Sequence, residues 1–208
     1  MIPPARRWIV LGVLYGAFFA WYTSWRGPLS GDEIAHYVGI VEARGAAAAD
    51  VARLRRFLEQ DSGDDFVIVN IIALREPPAP VAGVAPGETA TEVLDRYMAY
   101  MWPALLRRAC HPVLVGTAAA PALDVWGVAD AETWSQAGLM RYRSRRDLME
   151  IATNPEFRGR HEFKVAAMLK TIAFPIDPWF QLGDPRLVLG LVLLVIGLAL
   201  GSRGRTRG

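Results

Sequence analysis

The chain has 208 residues, room for about one ordinary domain with additions, and 52% of them are hydrophobic. A formal net charge of +2 excludes the strongly basic face of a nucleic-acid binder, so no nucleic-acid partner is expected. The single cysteine, Cys110, excludes an intrachain disulfide and any CxxC metal or redox centre.

The first element is an uncharged run from Trp8 to Trp25, WIVLGVLYGAFFAWYTSW, within a leading segment 1–27. As a helix it would span roughly 27 Å, close to the hydrocarbon thickness of a bilayer. Arg6 and Arg7 precede it and Arg26 follows, while Trp8, Trp21, Tyr22 and Trp25 suit the interfacial belts. A cleaved leader is the rival reading, but the small-x-small cleavage pattern fails because Phe18 stands two places before Ala20. An uncleaved anchor is therefore expected.

Residues 28–62 read as a helical adaptor. Ser30-Gly-Asp-Glu33 has capping-box form and leads into Ile34, Tyr37, Val38 and Val41 at helical spacing; Gly45 ends that helix. A second helix is expected over Asp50 to Gln60, with Val51, Leu54 and Leu58 on one face, and the turn signal Asp61–Asp65 closes the segment.

The main domain is expected over 63–178. Phe66–Leu74, FVIVNIIAL, reads as a buried central strand. After a Pro-rich loop, Thr89-Ala-Thr-Glu92 opens a helix whose inner stripe is Leu94, Tyr97, Met98 and Met101; Pro103 should kink or restart it. Strands are expected at Pro112–Gly116 and Trp134–Arg143, joined by a loop holding Pro121, Asp124 and Trp126. Ser144-Arg-Arg-Asp147 caps a helix interrupted at Asn154-Pro155, a further helical stretch covers Phe157–Met168, and Thr171–Ile176 is the last strand. The order βαββαβ is α+β of ferredoxin-like type.

The closing segment 179–208 carries a second apolar run, Leu187–Gly201, which gains a turn if Asp184 is its N-cap and Pro185 its first helical residue. Basic residues at both ends, Arg6, Arg7, Arg203, Arg205 and Arg207, place both termini in the cytoplasm by the positive-inside rule. The central domain then faces the periplasm or exterior of a bacterial inner membrane, with the lipid bilayer as a partner. Both apolar runs hold a small-xxx-small pair, Gly12/Gly16 and Gly197/Gly201, suited to close helix packing.

The strand FVIVNIIAL with Asn70, the helix end Tyr100-Met-Trp-Pro-Ala-Leu-Leu106, the strand His111-Pro-Val-Leu-Val-Gly116 and the segment Gly138-Leu-Met-Arg-Tyr-Arg143 with Asn154-Pro-Glu-Phe157 resemble the dimeric α+β-barrel superfamily, most closely its DUF1330-like group. That resemblance covers about residues 66–176 and implies a homodimer in which two sheets share a barrel. Some relatives in that superfamily are small monooxygenases.

No Walker loop, GxSxG, HExxH or dinucleotide turn is present, so no cofactor is expected, and the three histidines lack metal-ligand spacing. Five residues are candidates for a ligand pocket. Asn70 is a polar break in an apolar strand and needs hydrogen-bond partners. His111 starts a strand; Arg141 suits an anion and shares a face with Arg143, while Tyr142 takes the other face. His161 stands beside Glu162. The expected function is a membrane-anchored dimerising domain for small-ligand binding, sensing or assembly. The alternative is a cofactor-independent, oxygenase-like or ligand-converting enzyme.

Overall fold

A computed structural model describes residues 4–157 and 159–205; the side chains of Arg203 and Arg205 and all of Arg207 lie outside the described residues. The chain divides into a unit drawn from its two ends, within 1–25 and 178–208, and a unit spanning Arg26–Asp177.

In the terminal unit, α1 (Pro4–Tyr22) lies alongside α7 (Pro185–Arg205). The pairing is antiparallel: Trp8 meets Gly197, Tyr15 meets Gly190, and Arg186 lies 5.4 Å from the centroid of the Tyr22 ring. Glycine on α7 makes this approach possible, since a Cβ on Gly197 would stand 2.4 Å from the Trp8 ring. Asp184 accepts the Arg186 N–H at 2.7 Å and so caps α7 as its sequence predicts. Among the described residues α7 is the one helix long and apolar enough to cross a membrane, over Pro185–Ser202. Helix α1 reaches a similar length but carries Arg6 and Arg7 in its first turn.

The central unit contains α2 (Gly31–Ala43), α3 (Ala48–Glu59), β1 (Phe66–Leu74), α4 (Ala90–Arg107), β2 (His111–Thr117), β3 (Gln136–Tyr142), α5 (Arg145–Thr153), α6 (His161–Ala167) and β4 (Met168–Ile176). The four strands form one antiparallel sheet in the order β2-β3-β1-β4, the ferredoxin-like arrangement. The β-branched run of β1 takes a central place, where both its edges are hydrogen-bonded. Three of the four strands differ in their limits from expectation. Strand β3 is shorter, running from Gln136 to Tyr142, and β2 gains a residue at each end. Strand β4 begins at Met168, taking over directly from a shorter α6.

Pleating sorts the sheet into two faces. Phe66, Ile68 and Leu74 of β1 and Met140 and Tyr142 of β3 face the helices. There Phe66, Tyr142, Met101, Leu105 and Ile151 form one buried cluster, and Ala90, Val93, Leu94, Phe163 and Ala166 form a second. Burial of each large member contributes about 1.5–3 kcal/mol. Helix α4 starts with a complete Thr89–Glu92 capping box and runs through Pro103 without a break. The carbonyl that proline cannot serve belongs to Ala99, and both residues are solvent-exposed, so water can take the place of the missing donor. Helices α2 and α3 share a third cluster with α5, through Tyr37, Val38, Val51, Leu58 and Met149.

Candidate functional site

The sheet alternation decides where the five candidate residues fall. Asn70 and Tyr142 lie on the helix side. The Asn70 amide donates to Ile68 O at 3.2 Å and to Gly138 O at 3.3 Å, so its polar group is served by the sheet itself. Tyr142 stacks on Phe66 with centroids 5.6 Å apart, and burial raises its phenol pKa. His161 opens α6 on the same side, edge-on to Tyr97 at 6.4 Å. Desolvation, and then the charge of Lys164, lower the His161 pKa. Burial also lowers the pKa of Lys164, which has no carboxylate partner among the described residues. The sequence carried one signal for Lys164: it is one of two lysines in an arginine-rich chain.

His111 and Arg141 are directly paired across β2 and β3, on the other face of the sheet. Arg141 is 1% exposed, and its guanidinium donates to Asp65 Oδ2 at 2.8 Å and Ala109 O at 2.7 Å. His111 Nδ1 lies 2.9 Å from Pro112 O. The structure therefore gathers Asn70, Tyr142 and His161 on the helix side and separates them from His111 and Arg141.

That second face is apolar. Val69 and Ile71 of β1, Leu139 of β3, Leu114 of β2 and Ile172 and Phe174 of β4 share it by register. None of them belongs to any of the three buried clusters. Leu114 is 62% exposed and Phe174 43%. An antiparallel sheet can leave one face to water, but that face normally carries polar residues. Here, among the described residues, the polar groups on the strands stand at the two ends: His111 and the Arg141–Asp65 pair at one, and Lys170 at the other, 4.7 Å from the centroid of the Trp134 ring and bonded to Asp130 O.

The Ser144–Asp147 segment caps α5, as its sequence predicts, and does more. Ser144, Arg145, Arg146 and Asp147 are all buried. Arg146 donates to Glu33 Oε1 at 2.6 Å and Oε2 at 3.0 Å, and to the carbonyls of Gly27 and Pro28 at 3.2 and 3.1 Å. Those Arg146 hydrogen bonds, with the Ser30 backbone N–H second, hold the Glu33 carboxyl down at about 2. Arg145 lies 4.4 Å over the Phe57 ring centroid and 3.7 Å from Asp61, whose carboxylate also accepts from the backbone N–H groups of Leu29 and Gly63. Arg143 forms a two-pronged pair with Asp147. The chain entering the central unit is thus clamped onto α5 by buried arginines.

No protein-family model and no curated protein matches this chain. Solved structures resemble it in fold. A protein of unknown function from Rhodopseudomonas palustris aligns with a TM-score of 0.51 and 22% identity, over 65% of this chain and 95% of that one. The methylated form of that protein aligns with a TM-score of 0.52 and 21% identity, over 67% and 96%. A dimeric, ferredoxin-like protein of unknown function from Bacteroides fragilis is more distant, at a TM-score of 0.33 and 15% identity over 55% and 96%, too far to carry a statement about this chain. At these identities the likeness shows the fold alone.

Proposed function

We propose that this protein is a two-pass bacterial inner-membrane protein whose extracytoplasmic domain pairs with a second copy through the open sheet face, in the manner of a dimeric α+β barrel. The paired domain serves small-ligand binding, sensing or assembly. The observation that carries this reading is the apolar, uncovered face of the sheet around Val69, Ile71, Leu139 and Phe174. Such a face is costly in water at about 25 cal/mol per Å², and a second sheet packed about 10 Å away removes that cost. The projected face, four strands about 4.8 Å apart and about seven residues long, covers roughly 450 Å². A standard interface buries about 800 Å² per partner, so the sheet rims and confinement in the membrane supply the remainder.

The two-pass reading is supported by the helix pair. Helix α7 has the length and apolarity to span a bilayer, and α1 packs antiparallel along it through Gly190 and Gly197. A partner docked along the length of a spanning helix spans with it, and the basic residues Arg6 and Arg7 then sit on the cytoplasmic side with the C-terminal tail. The test is native mass spectrometry of the full chain released from detergent. The expected species is twice the 22.9 kDa chain mass; a monomer at every concentration refutes the pairing.

A further inference from the structure

Neighbouring antiparallel strands are ordinarily joined by about 2–5 residues. Between β2 and β3 lies the whole of 118–135. The stem of this loop is built into the sheet. The Ala118 N–H donates to Ser135 O at 2.9 Å and the Ala122 N–H to Glu132 O at 2.8 Å. Ser135 is pinned to β1, donating its N–H to Ile72 O and accepting the Leu74 N–H at its hydroxyl, both at 2.8 Å. Ala131 is buried, and the Trp134 indole donates to its carbonyl at 2.8 Å. The tip is the opposite: Leu123 is 99% exposed, Trp126 92% and Val128 52%.

We infer that this loop is an arm, which each copy of the chain lays over the rim of the other copy's open sheet face. The inference rests on the pairing proposed above and deepens it, and three observations carry it.

The first is position. Lys170 of β4 pairs with Ala73 of β1, and by alternation it shares the open face with Ile172 and Phe174. Its ammonium bonds Asp130 O and lies 4.7 Å from the centroid of the Trp134 ring. The returning limb of the loop is therefore tied to the margin of the open face, and the apolar tip springs from that margin.

The second is area. The sheet face of roughly 450 Å² falls about 350 Å² short of the 800 Å² that each partner buries in a standard interface. A fully exposed Trp can bury about 150–250 Å² and a Leu about 60–120 Å². With half-exposed Val128, the tip offers roughly 250–400 Å², which matches the shortfall.

The third is the division of the loop into an ordered stem and an apolar tip. The stem's hydrogen bonds fix it before a partner arrives, so docking forfeits little conformational freedom. Trp is also a residue type enriched among those that dominate interface energetics.

The experiment is native mass spectrometry of the full chain in detergent over a dilution series, reading the concentration at which half the dimer has dissociated. The variants are the double substitution Leu123→Ser with Trp126→Ser, and Leu106→Ser as a control on exposed α4, where the side chain is 53% exposed. The loop side chains are almost wholly exposed, so their replacement leaves the packing within the chain untouched. The double variant is expected to raise the half-dissociation concentration ten-fold or more, and Leu106→Ser to leave it where it is in the unsubstituted chain. A dimer that dissociates no more readily in the double variant than in Leu106→Ser overturns the arm and leaves the sheet pairing standing; the tip then serves a lipid surface or another protein. An unsubstituted chain that is monomeric at every concentration overturns the arm together with the pairing.

Discussion

Removing the two halves of the Arg146–Glu33 pair should have unequal effects. Arg146 is 4% exposed at its side chain and Glu33 is 30% exposed. Glu33→Ala strands a buried guanidinium on two backbone carbonyls, a change that costs about 3–5 kcal/mol when a buried pair loses one partner. Arg146→Met fills the same volume with an uncharged side chain, and Glu33 can turn into water. Only the hydrogen bonds are lost, and the expected cost is about 1–2 kcal/mol. The double variant should recover most of the Glu33→Ala loss, because it no longer buries an unpaired charge. Urea titration of the full chain in detergent, followed by near-UV circular dichroism, measures all three. Equal losses for the two single variants, or a double variant worse than Glu33→Ala, would refute the reasoning. The pair also sets a pH dependence. The folded pKa of Glu33, about 2, lies below its ordinary value of 4.5, so the stabilisation is fully present above about pH 4.5. It is lost as pH falls from there towards 2, and Glu33→Gln should lack that part of the acid transition.

Other positions give further expectations. Gly197→Ala should loosen the α1–α7 pair, because its Cβ would stand 2.4 Å from Trp8, whereas Gly190→Ala meets Tyr15 at an ordinary 3.4 Å and should be tolerated; thermal scans in detergent separate them. Gly63→Ala combines φ of +86° with a Cβ 2.5 Å from the Gly27 carbonyl carbon, and should cost more than about 2 kcal/mol in the same urea assay. Burial pushes the Cys110 thiol up to about 11, so alkylation by iodoacetamide at pH 8 should be far slower than for a free thiol, and fast labelling of the folded chain would contradict its buried placement.

What the sequence made legible follows the range of each interaction. Capping boxes at Ser30–Glu33 and Thr89–Glu92, the cap at Ser144 and the cap at Asp184 are local, and each forms as its residues imply. Alternation within a strand also shows that Arg141 and Tyr142 face opposite ways. Register between strands is not local, so the separation of His111 and Arg141 from Asn70 and Tyr142 emerges only from the pairing. The arginine clamp is the least legible feature: Arg146 and Glu33 are 113 residues apart, and Arg141 and Asp65 76. Without those partners, Ser144–Asp147 reads as a helix cap and nothing more. The small-residue pairs show the same limit. Gly197 and Gly201 meet side chains of α1, whereas a Cβ on Gly12 or Gly16 would meet nothing within 4 Å, and the contact at Gly190 lies outside any four-residue spacing.

The central claim is that the open sheet face joins two copies of the chain. It is tested most directly by native mass spectrometry of two charge substitutions in the full chain. Phe174→Asp places a carboxylate on the open face; Val115→Asp places one on the helix side of edge strand β2, at a residue already 64% exposed. The account predicts a monomer for Phe174→Asp and a dimer for Val115→Asp. A dimer that survives Phe174→Asp unchanged would contradict it.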